Sequence, residues 1–279
     1  MRVCETVATM RAECAALRYG GRRLGLVPTM GALHEGHMSL LRAARAQCDV
    51  VAASIFVNPT QFGPQEDLAK YPRPFARDSE LLRAEGVDLL FAPSVEEMYP
   101  AGAGTYVEVE GLSERLDGRS RPGHFRGVAT VVSKLFHIVQ PEVAFFGQKD
   151  AAQVAVIRRM VRDLLLPVEI VACPIVREAD GLALSSRNVY LNAEQRRSAL
   201  ALSRSLMRVH ELYESGERNS AQLITAGTEE FLDSGVRLDF LEIVDAETLE
   251  PLESAEPGAL VAVAGFVGIT RLIDNVVLG

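Results

Sequence analysis

The chain has 279 residues, of which 48% are hydrophobic and 24% are charged, and its formal net charge is −8. These values are typical of a globular protein with one large domain or two ordinary ones, and the acidic balance argues against binding to nucleic acid or to an anionic membrane surface. No apolar run approaches the ~18–20 residues that a membrane-spanning helix requires.

Alternating helix and strand patterns predict a doubly wound, Rossmann-like parallel sheet over residues 1–175. Helices are predicted at residues 1–17, 37–47, 78–85, 128–139 and 151–164. Buried strands are predicted at residues 24–27, 49–57, 87–91, 143–146 and 168–173. An alternating segment at residues 105–109 predicts a further edge or excursion strand.

A polar loop at residues 176–188 marks a change in composition, and residues 176–279 are predicted to form a smaller α+β domain that acts as a lid. Its helices are predicted at residues 194–214 and 221–232, and its strands at residues 238–244, 260–263 and 272–277. The overall prediction is therefore a Rossmann-like α/β domain followed by a smaller C-terminal domain.

The N-terminal stretch and the cysteines predict a cytoplasmic protein. Charged residues at Arg2, Glu5, Arg11 and Glu13 interrupt the beginning of the chain, which therefore does not resemble a signal peptide. Four scattered cysteines with no CxxC pair do not predict a disulfide framework, and this usage fits a reducing compartment.

A turn with two histidines joins the first long predicted strand to its helix. Residues 28–37 read PTMGALHEGH. A strand that enters a helix through a glycine-containing turn directs backbone N–H groups and the positive helix end at one point, which favours phosphate, and His34 and His37 would add side-chain donors there. Two structural histidines and half of a metal site are the alternatives, although the other histidines show no ligand spacing.

Three further polar turns accompany the histidine turn, at residues 58–61, 147–150 and 184–187. The first two follow predicted strands, and the carboxyl ends of parallel strands meet at one edge of a sheet, so these turns are expected to converge with the histidine turn on one crevice. The third lies at the predicted domain junction, where it could close over that crevice. Each turn alone has a simple structural explanation, whereas their joint order favours a nucleotide site.

The ordered motifs resemble those of the pantothenate synthetase family. They read PTMGALHEGH, SIFVNPTQF, RPGHFRGV, FFGQKD, VREADGLALSSRN and TRLIDN, and the resemblance runs from residue 24 to residue 275. More distantly, HxGH followed by a late SSR loop resembles the nucleotidyltransferase superfamily that includes class I aminoacyl-tRNA synthetases. Residues 184–187 read LSSR where those synthetases carry the lysine-bearing KMSKS loop.

The resemblance implies ATP-dependent condensation of pantoate with β-alanine to give pantothenate. The pantoate carboxylate would attack the α-phosphorus of ATP to form pantoyl adenylate and pyrophosphate, and the amine of β-alanine would then displace AMP. Mg²⁺ is expected with ATP, and the resemblance also implies a homodimer. No nucleic acid or membrane partner is expected.

The resemblance further implies roles for individual residues. ATP would be bound by Met30, Gly31, Ala32, Leu33, His34, Glu35, Gly36, His37, Gly147, Gln148, Lys149, Asp150, Val176, Leu184, Ser185, Ser186 and Arg187. Among these residues, His37, His34, Lys149 and Arg187 would be catalytic. Pantoate and β-alanine would be bound by Gln61, Gln153 and Asn58. The residue chemistry agrees, because a carboxylate nucleophile needs alignment and neutralised phosphate charge rather than a general base.

Magnesium ligation and two rival functions stay open at this stage. After Tyr-Pro-Arg the family often has adjacent acidic residues, whereas here Arg77 precedes the single Asp78. Protein ligands for Mg²⁺ are therefore not predicted, and phosphates and water would hold most of the ion. The rival functions are a transferase of the same fold that adenylates a phosphate ester, and a catalytically silent nucleotide-binding or oligomerisation module.

Overall fold

The computed structural model describes residues 1–64 and 66–279. Its contacts divide the chain into two compact units. The first unit comprises Met1–Ser113, Arg121–Gly147 and Val156–Cys173. The second unit comprises Glu114–Ser120, Gln148–Ala155 and Pro174–Gly279. The predicted domain boundary between residues 175 and 176 stays a prediction.

The elements alternate between strand and helix along the first two thirds of the chain. The strands are β1 (Arg2–Cys4), β2 (Leu24–Thr29), β3 (Val50–Ile55), β4 (Leu89–Phe91), β5 (Val143–Gly147), β6 (Glu169–Cys173), β7 (Val236–Val244), β8 (Leu260–Val267) and β9 (Thr270–Val277). The α-helices are α1 (Val7–Arg18), α2 (Glu35–Gln47), α3 (Phe75–Ala84), α4 (Val95–Met98), α5 (Asp117–Ser120), α6 (His124–Val139), α7 (Ala151–Asp163), α8 (Ala193–Glu214) and α9 (Ser220–Glu229). Short 3-10 helices cover Pro59–Gln61, Asp67–Ala69, Leu112–Glu114, Gln148–Asp150 and Ser186–Tyr190.

The first unit is built on a parallel sheet with the strand order β1-β4-β3-β2-β5-β6. Strand β2 pairs with β3 along its whole length and with β5 on its other side. The chain therefore runs from β2 in one direction through β3 and β4, and later in the opposite direction through β5 and β6. In doubly wound sheets, ligands bind beside the carboxyl ends of the strands where this reversal occurs. The predicted Rossmann-like sheet is confirmed.

Helix α2 covers one face of this sheet with a continuous apolar side. Its buried residues are Met38, Leu40, Leu41 and Ala44, and they pack in one cluster with β2, β3 and β5. The central strands are buried over nearly their full length, as is usual in parallel sheets with helices on both faces. This burial explains why β2 and β3 show unbroken apolar runs instead of alternation.

The second unit contains an antiparallel sheet in the order β7-β8-β9. Helices α8 and α9 pack against it through a core that includes Leu202, Leu206, Val209 and Leu223. Helix α8 begins with a capping box in which Asn192 and Gln195 exchange side-chain and backbone hydrogen bonds. The prediction of a smaller α+β region is confirmed.

One predicted helix begins later than expected, and one predicted strand is absent from the described residues. Residues 2–4 form strand β1, which pairs with β4, and the helix begins only after its cap, Thr6. Residues 105–109 form no strand in the described structure, because the Val107 N–H donates to Thr130 Oγ1 at 2.9 Å instead of joining a ladder. In both places a long-range contact overrode a local pattern. Helices α3 and α6 also begin earlier than predicted, at Phe75 and His124.

The four cysteines are buried free thiols. Burial raises the pKa of each of these thiols, that of Cys14 to about 12. Across residues 1–64 and 66–279, no helix has the length and apolar character needed to cross a bilayer.

Candidate active site

The turn between β2 and α2 has an unusual backbone. Gly31 has φ +85° and the next residue, Ala32, has φ +53°. Glycine adopts the left-handed region readily, but alanine is rare there and must be held by other contacts. Thr29 contributes one such contact, because its Oγ1 accepts from the Gly31 N–H at 3.1 Å and donates to the Ser54 carbonyl at 2.6 Å.

A buried carboxylate holds the same turn from the first turn of α3. The oxygens Oδ2 and Oδ1 of Asp78 accept from the backbone N–H groups of Ala32 at 2.7 Å and Leu33 at 2.9 Å. The Asp78 residue is only 1% exposed. Its carboxylate therefore organises the histidine turn, and its burial argues against a role as an Mg²⁺ ligand. No local sequence pattern predicts this contact, because Asp78 lies 46 and 45 residues from Ala32 and Leu33.

The two histidines cap α2. Nδ1 of His34 accepts from the Gly36 N–H at 3.2 Å, and Nδ1 of His37 accepts from the His34 N–H at 3.2 Å. A backbone N–H can only donate, so Nδ1 is the accepting nitrogen of each ring and Nε2 is the one that can carry the proton. The imidazole centroids lie 4.2 Å apart. The turn can therefore offer an anion two Nε2–H groups together with the positive end of the helix.

This geometry shows a structural role for both histidines, because their Nδ1 atoms cap helix α2. Phosphate binding at this turn stays a prediction. Among residues 1–64 and 66–279, no group of three or more His, Cys, Asp or Glu side chains could hold a metal ion.

A buried pair of amide side chains follows β3. Asn58 is 1% exposed and Gln61 is 9% exposed. Asn58 Nδ2 donates to Gln61 Oε1 at 3.0 Å, and Gln61 Nε2 lies 3.1 Å from Met30 Sδ at the end of β2. The structure thus brings two predicted substrate-binding residues together with Met30, which was predicted to bind ATP.

Tyr99 supports this pair, although the sequence offered no signal for it. Its hydroxyl donates to Asn58 Oδ1 at 2.8 Å and lies 3.2 Å from Thr60 Oγ1. The Lys134 ammonium lies 4.5 Å from the centroid of the Tyr99 ring. Burial raises the pKa of Tyr99, so its hydroxyl keeps the proton that it donates.

The RPGHFRGV motif holds Gln61 from the other side. His124 Nδ1 lies 2.8 Å from the Gln61 carbonyl, which can only accept, so Nδ1 donates. His124 Nε2 then accepts from Arg121 at 2.9 Å, and Arg121 pairs with Glu66 at 2.6 Å. Burial is the largest single influence on Glu66 and raises its pKa, but the hydrogen bond and the charge of Arg121, with smaller contributions from His124 and the Gly63 backbone, together lower the pKa of that carboxyl below its ordinary value.

A glycine in the same motif allows helix α6 to approach the Gln61 turn. A Cβ at Gly127 would lie 2.4 Å from the Thr60 carbonyl oxygen and 2.6 Å from Gln61 Cα. The Gly127 carbonyl also accepts from Asn58 Nδ2 at 3.1 Å. Only glycine permits this contact, which accounts for a residue of the motif that the sequence analysis left without a role.

The remaining predicted residues form two groups in the second unit, apart from Gly147, which ends β5 in the first unit. Gln148–Asp150 forms a 3-10 turn that continues into α7, where Gln153 is half-buried like Lys149, whereas Asp150 is exposed. The second group lies in the loop after β6. There the Leu184 N–H donates to the Val176 carbonyl at 3.0 Å, and Ser185 Oγ accepts from the Arg187 N–H at 3.2 Å.

These features define an α/β protein of the doubly wound class, with a capped histidine turn after a central strand of its parallel sheet. The model of the family described as pantoate-beta-alanine ligase matches residues 2–277. The chain belongs to the pantoate–β-alanine ligase family, and it is an enzyme.

Close relatives agree along the whole chain. Pantothenate synthetase of Acidobacterium capsulatum is 60% identical and is matched over 100% of this chain and 97% of its own. Pantothenate synthetase of Moorella thermoacetica is 61% identical over 100% of this chain and 99% of its own.

Two solved structures are similar over nearly the whole chain. Pantothenate synthetase from Thermus thermophilus superposes with a TM-score of 0.94 at 52% identity and covers 99% of each chain. Pantoate-beta-alanine ligase from Francisella tularensis, complexed with beta-gamma ATP and beta-alanine, superposes with a TM-score of 0.83 at 33% identity and covers 99% of this chain and 97% of its own.

Proposed function

We propose that this enzyme condenses pantoate with β-alanine in an ATP-dependent reaction. The pantoate carboxylate attacks the α-phosphorus of ATP, which gives pantoyl adenylate and releases pyrophosphate. The amine of β-alanine then attacks the acyl carbon, which gives pantothenate and AMP. The observation that carries this proposal is the family match over residues 2–277. The ATP and β-alanine complex of the Francisella relative supports the choice of substrates.

His34 and His37 stabilise the negative charge that grows on the leaving pyrophosphate. The Nδ1 contacts of both rings support this role, because they direct the proton to Nε2. Donors fixed in place before the reaction stabilise a developing charge without reorganisation, which is their main advantage over water. The β- and γ-phosphates of ATP lie at this turn, with the α-phosphorus toward the pantoate carboxylate.

Lys149 and Arg187 neutralise phosphate charge. Both side chains are half-buried, which lets a cation act in a medium of lower dielectric than bulk water. The other ATP-binding residues are Met30, Gly31, Ala32, Leu33, Glu35, Gly36, Gly147, Gln148, Asp150, Val176, Leu184, Ser185 and Ser186. Mg²⁺ accompanies ATP and is held mostly by phosphate oxygens and water.

Gln61, Gln153 and Asn58 recognise pantoate and β-alanine. Amide side chains bond hydroxyl groups without pairing the carboxylate that must act as nucleophile. The burial of Gln61 and Asn58 supports this role, because buried hydrogen-bonding groups discriminate strongly against substrates that leave them unpaired. Gln153→Ala should weaken the use of pantoate far more than the use of ATP. Equal losses in the use of pantoate and of ATP would show that Gln153 does not recognise pantoate specifically.

We also propose that the enzyme is a cytoplasmic homodimer. Family resemblance supports the dimer, and the buried free thiols are compatible with a reducing compartment. Sedimentation equilibrium at several protein concentrations measures the assembly directly. A monomer at micromolar concentration would contradict the dimer without affecting the proposed reaction.

An isotope experiment tests the reaction. Both carboxylate oxygens of pantoate are labelled with heavy oxygen, and one turnover is run with ATP and β-alanine. Attack on the α-phosphorus predicts one label in AMP and none in inorganic phosphate. The appearance of ADP and labelled phosphate would establish an acyl phosphate and overturn the proposal.

The same reaction mixture separates the rival functions. Pantothenate synthesis releases AMP only when β-alanine is present. A transferase that adenylates a phosphate ester would leave pantoate unused, and a silent module would release neither AMP nor pyrophosphate.

A further inference from the structure

The TRLIDN motif lies on β9, and its residues take no part in the reaction proposed above. Two consecutive residues of this motif, Asp274 and Asn275, are each only 3% exposed. Successive side chains of a strand point in opposite directions, so the two can contact different segments. Strand β9 is itself paired along its length with β8, including Asp274 with Val263 and Asn275 with Ala262. The backbone of β9 is therefore held in place by the sheet, and the side chains of Asp274 and Asn275 start from fixed positions.

Asn275 holds the turn that carries Lys149. Its Nδ2 donates to the Gln148 carbonyl at 2.9 Å and to the Lys149 carbonyl at 3.0 Å. Its Oδ1 lies 3.3 Å from Gln148 Nε2. One buried amide group thus binds two consecutive carbonyl oxygens and a side chain. An aspartate at this position would instead place a carboxylate oxygen, which can only accept, against these two carbonyl oxygens.

Asp274 holds the loop that leads to Arg187. Its carboxylate forms a two-point contact with the guanidinium of Arg177, at 2.6 Å and 2.9 Å. Arg177 also donates to the Gly181 carbonyl at 3.0 Å and forms an antiparallel bridge with Ala183. Together with the hydrogen bond from Leu184 to Val176, these contacts fix a small hairpin whose second arm continues directly into residues 184–187.

We propose that Asp274 and Asn275 are positioning residues for phosphate recognition, and that β9 sets the spacing between Lys149 and the loop of Arg187. Each of the two residues acts through a segment that is proposed above to bind ATP. The inference rests on the roles proposed above for Lys149 and Arg187. Since misplacement of a catalytic group by about 1 Å can lower a rate ~10²-fold, two anchors on one strand would have a large effect without any contact with substrate.

A double-mutant cycle tests the inference. The variants Asn275→Ala, Lys149→Ala and the double variant are compared by pyrophosphate release in single turnovers with varied ATP. Asn275→Ala should lower kcat/KM for ATP by ~10–100-fold. If Asn275 acts through Lys149, the double variant should be no slower than Lys149→Ala alone, because the two residues then work as one unit. A cycle of Asp274→Asn with Arg187→Ala should behave in the same way.

A matched control separates positioning from general destabilisation. Asn219 caps α9 in the same compact unit by accepting from the Gln222 N–H at 3.1 Å. Asn219→Ala removes an asparagine from that unit and should leave kcat/KM for ATP unchanged. If Asn275→Ala does not fold, Asn275→Ser replaces it, since serine introduces no buried charge and its single hydroxyl donor cannot bind both carbonyl oxygens, and kcat/KM for ATP should again fall.

The outcomes are distinguishable. If Lys149→Ala is slow and the two losses multiply, the positioning inference is overturned while the proposed role of Lys149 stands. If Lys149→Ala releases pyrophosphate at the wild-type rate, the proposed role is wrong and the inference is overturned with it. A wild-type kcat/KM for ATP in a folded Asn275 variant overturns the inference alone.

Discussion

The turn with His34 and His37 and the turn with Lys149 are held in different ways. The histidines hold their own turn, because their Nδ1 atoms accept backbone hydrogen bonds from within three residues along the chain. The Lys149 turn is held by Asn275, which lies 126 residues later in the sequence. In the first region the proposed catalytic groups are also structural groups, whereas in the second the two tasks fall to different residues.

This difference has consequences for mutation. A substitution in the histidine turn removes a phosphate donor and a helix cap together, so both activity and stability should fall. A substitution of Lys149 removes a charge but keeps the Asn275 contacts to the backbone of its turn, so activity should fall and stability should not. The following predictions test this contrast, from the largest expected effect to the smallest.

His37→Ala should slow adenylation by ~10²–10³-fold, the usual effect of removing one fixed donor to a developing charge. Pyrophosphate release in a single turnover measures the step directly. His37→Gln is the matched control, because glutamine at this helix position can still accept from the His34 N–H. His37→Gln should recover stability and remain slow. If it recovers the rate as well, His37 is only a cap.

Lys149→Ala should slow adenylation by ~10²-fold, on the same scale for lost charge stabilisation. Its melting temperature should equal that of the wild type, because Asn275 binds the backbone of this turn and not the lysine side chain. Exposed Arg158 on α7, the helix that follows the Lys149 turn, provides the control, and Arg158→Ala should change neither quantity. A lowered melting temperature in Lys149→Ala would remove the contrast between the two turns.

Asp78→Ala should lower kcat/KM for ATP by ~10–100-fold, because the left-handed turn at Gly31 and Ala32 loses its anchor. It should also lower the free energy of unfolding by ~1–3 kcal/mol for each backbone N–H left without an acceptor. The comparison is Asp88→Ala, since Asp88 also accepts from a backbone N–H, that of Val51 at 2.8 Å. Asp88→Ala should lose stability and keep its kinetics. Equal kinetic losses in both variants would show that Asp78 has no special link to the turn.

Gly127→Ala should raise KM for pantoate by ~10-fold and lower the free energy of unfolding by ~1–3 kcal/mol, as is usual when extra volume enters a packed site. The new Cβ would push the Thr60 carbonyl and displace Gln61. Gly104 lies in the same unit, where an added Cβ would be 4.0 Å from its nearest neighbour, and Gly104→Ala should behave as the wild type. An unchanged KM for pantoate in Gly127→Ala would show that Gln61 does not bind pantoate.

Glu66→Gln should have the smallest effect, which depends on pH. The folded pKa of Glu66 lies below its ordinary value, so its stabilisation is present above the unfolded pKa and is lost as pH falls through the folded pKa. The wild type should therefore melt at a higher temperature than Glu66→Gln at pH 7, and the gap should close below about pH 4. If the difference in melting temperature persists in acid, Glu66 does not stabilise the fold through its negative charge beside Arg121.

The local sequence determined the order of the main elements and the identity of the histidine turn. Apolar periodicity extends over single elements, and the capping contacts of His34 and His37 join residues within one helical turn. Both features can therefore be predicted from a short stretch of sequence. The motifs likewise indicated the family, and the family match confirmed it.

Only the tertiary structure decided which residues support the site. Asp78 reaches Ala32 and Leu33, Gly127 meets the Gln61 turn, and Asn275 reaches Lys149. None of these contacts leaves a local pattern, because each partner lies tens of residues away or more. The errors at residues 2–4 and 105–109 have the same cause. A short strand exists only if a neighbour pairs with it, and that pairing is determined by the whole fold and not by the segment itself.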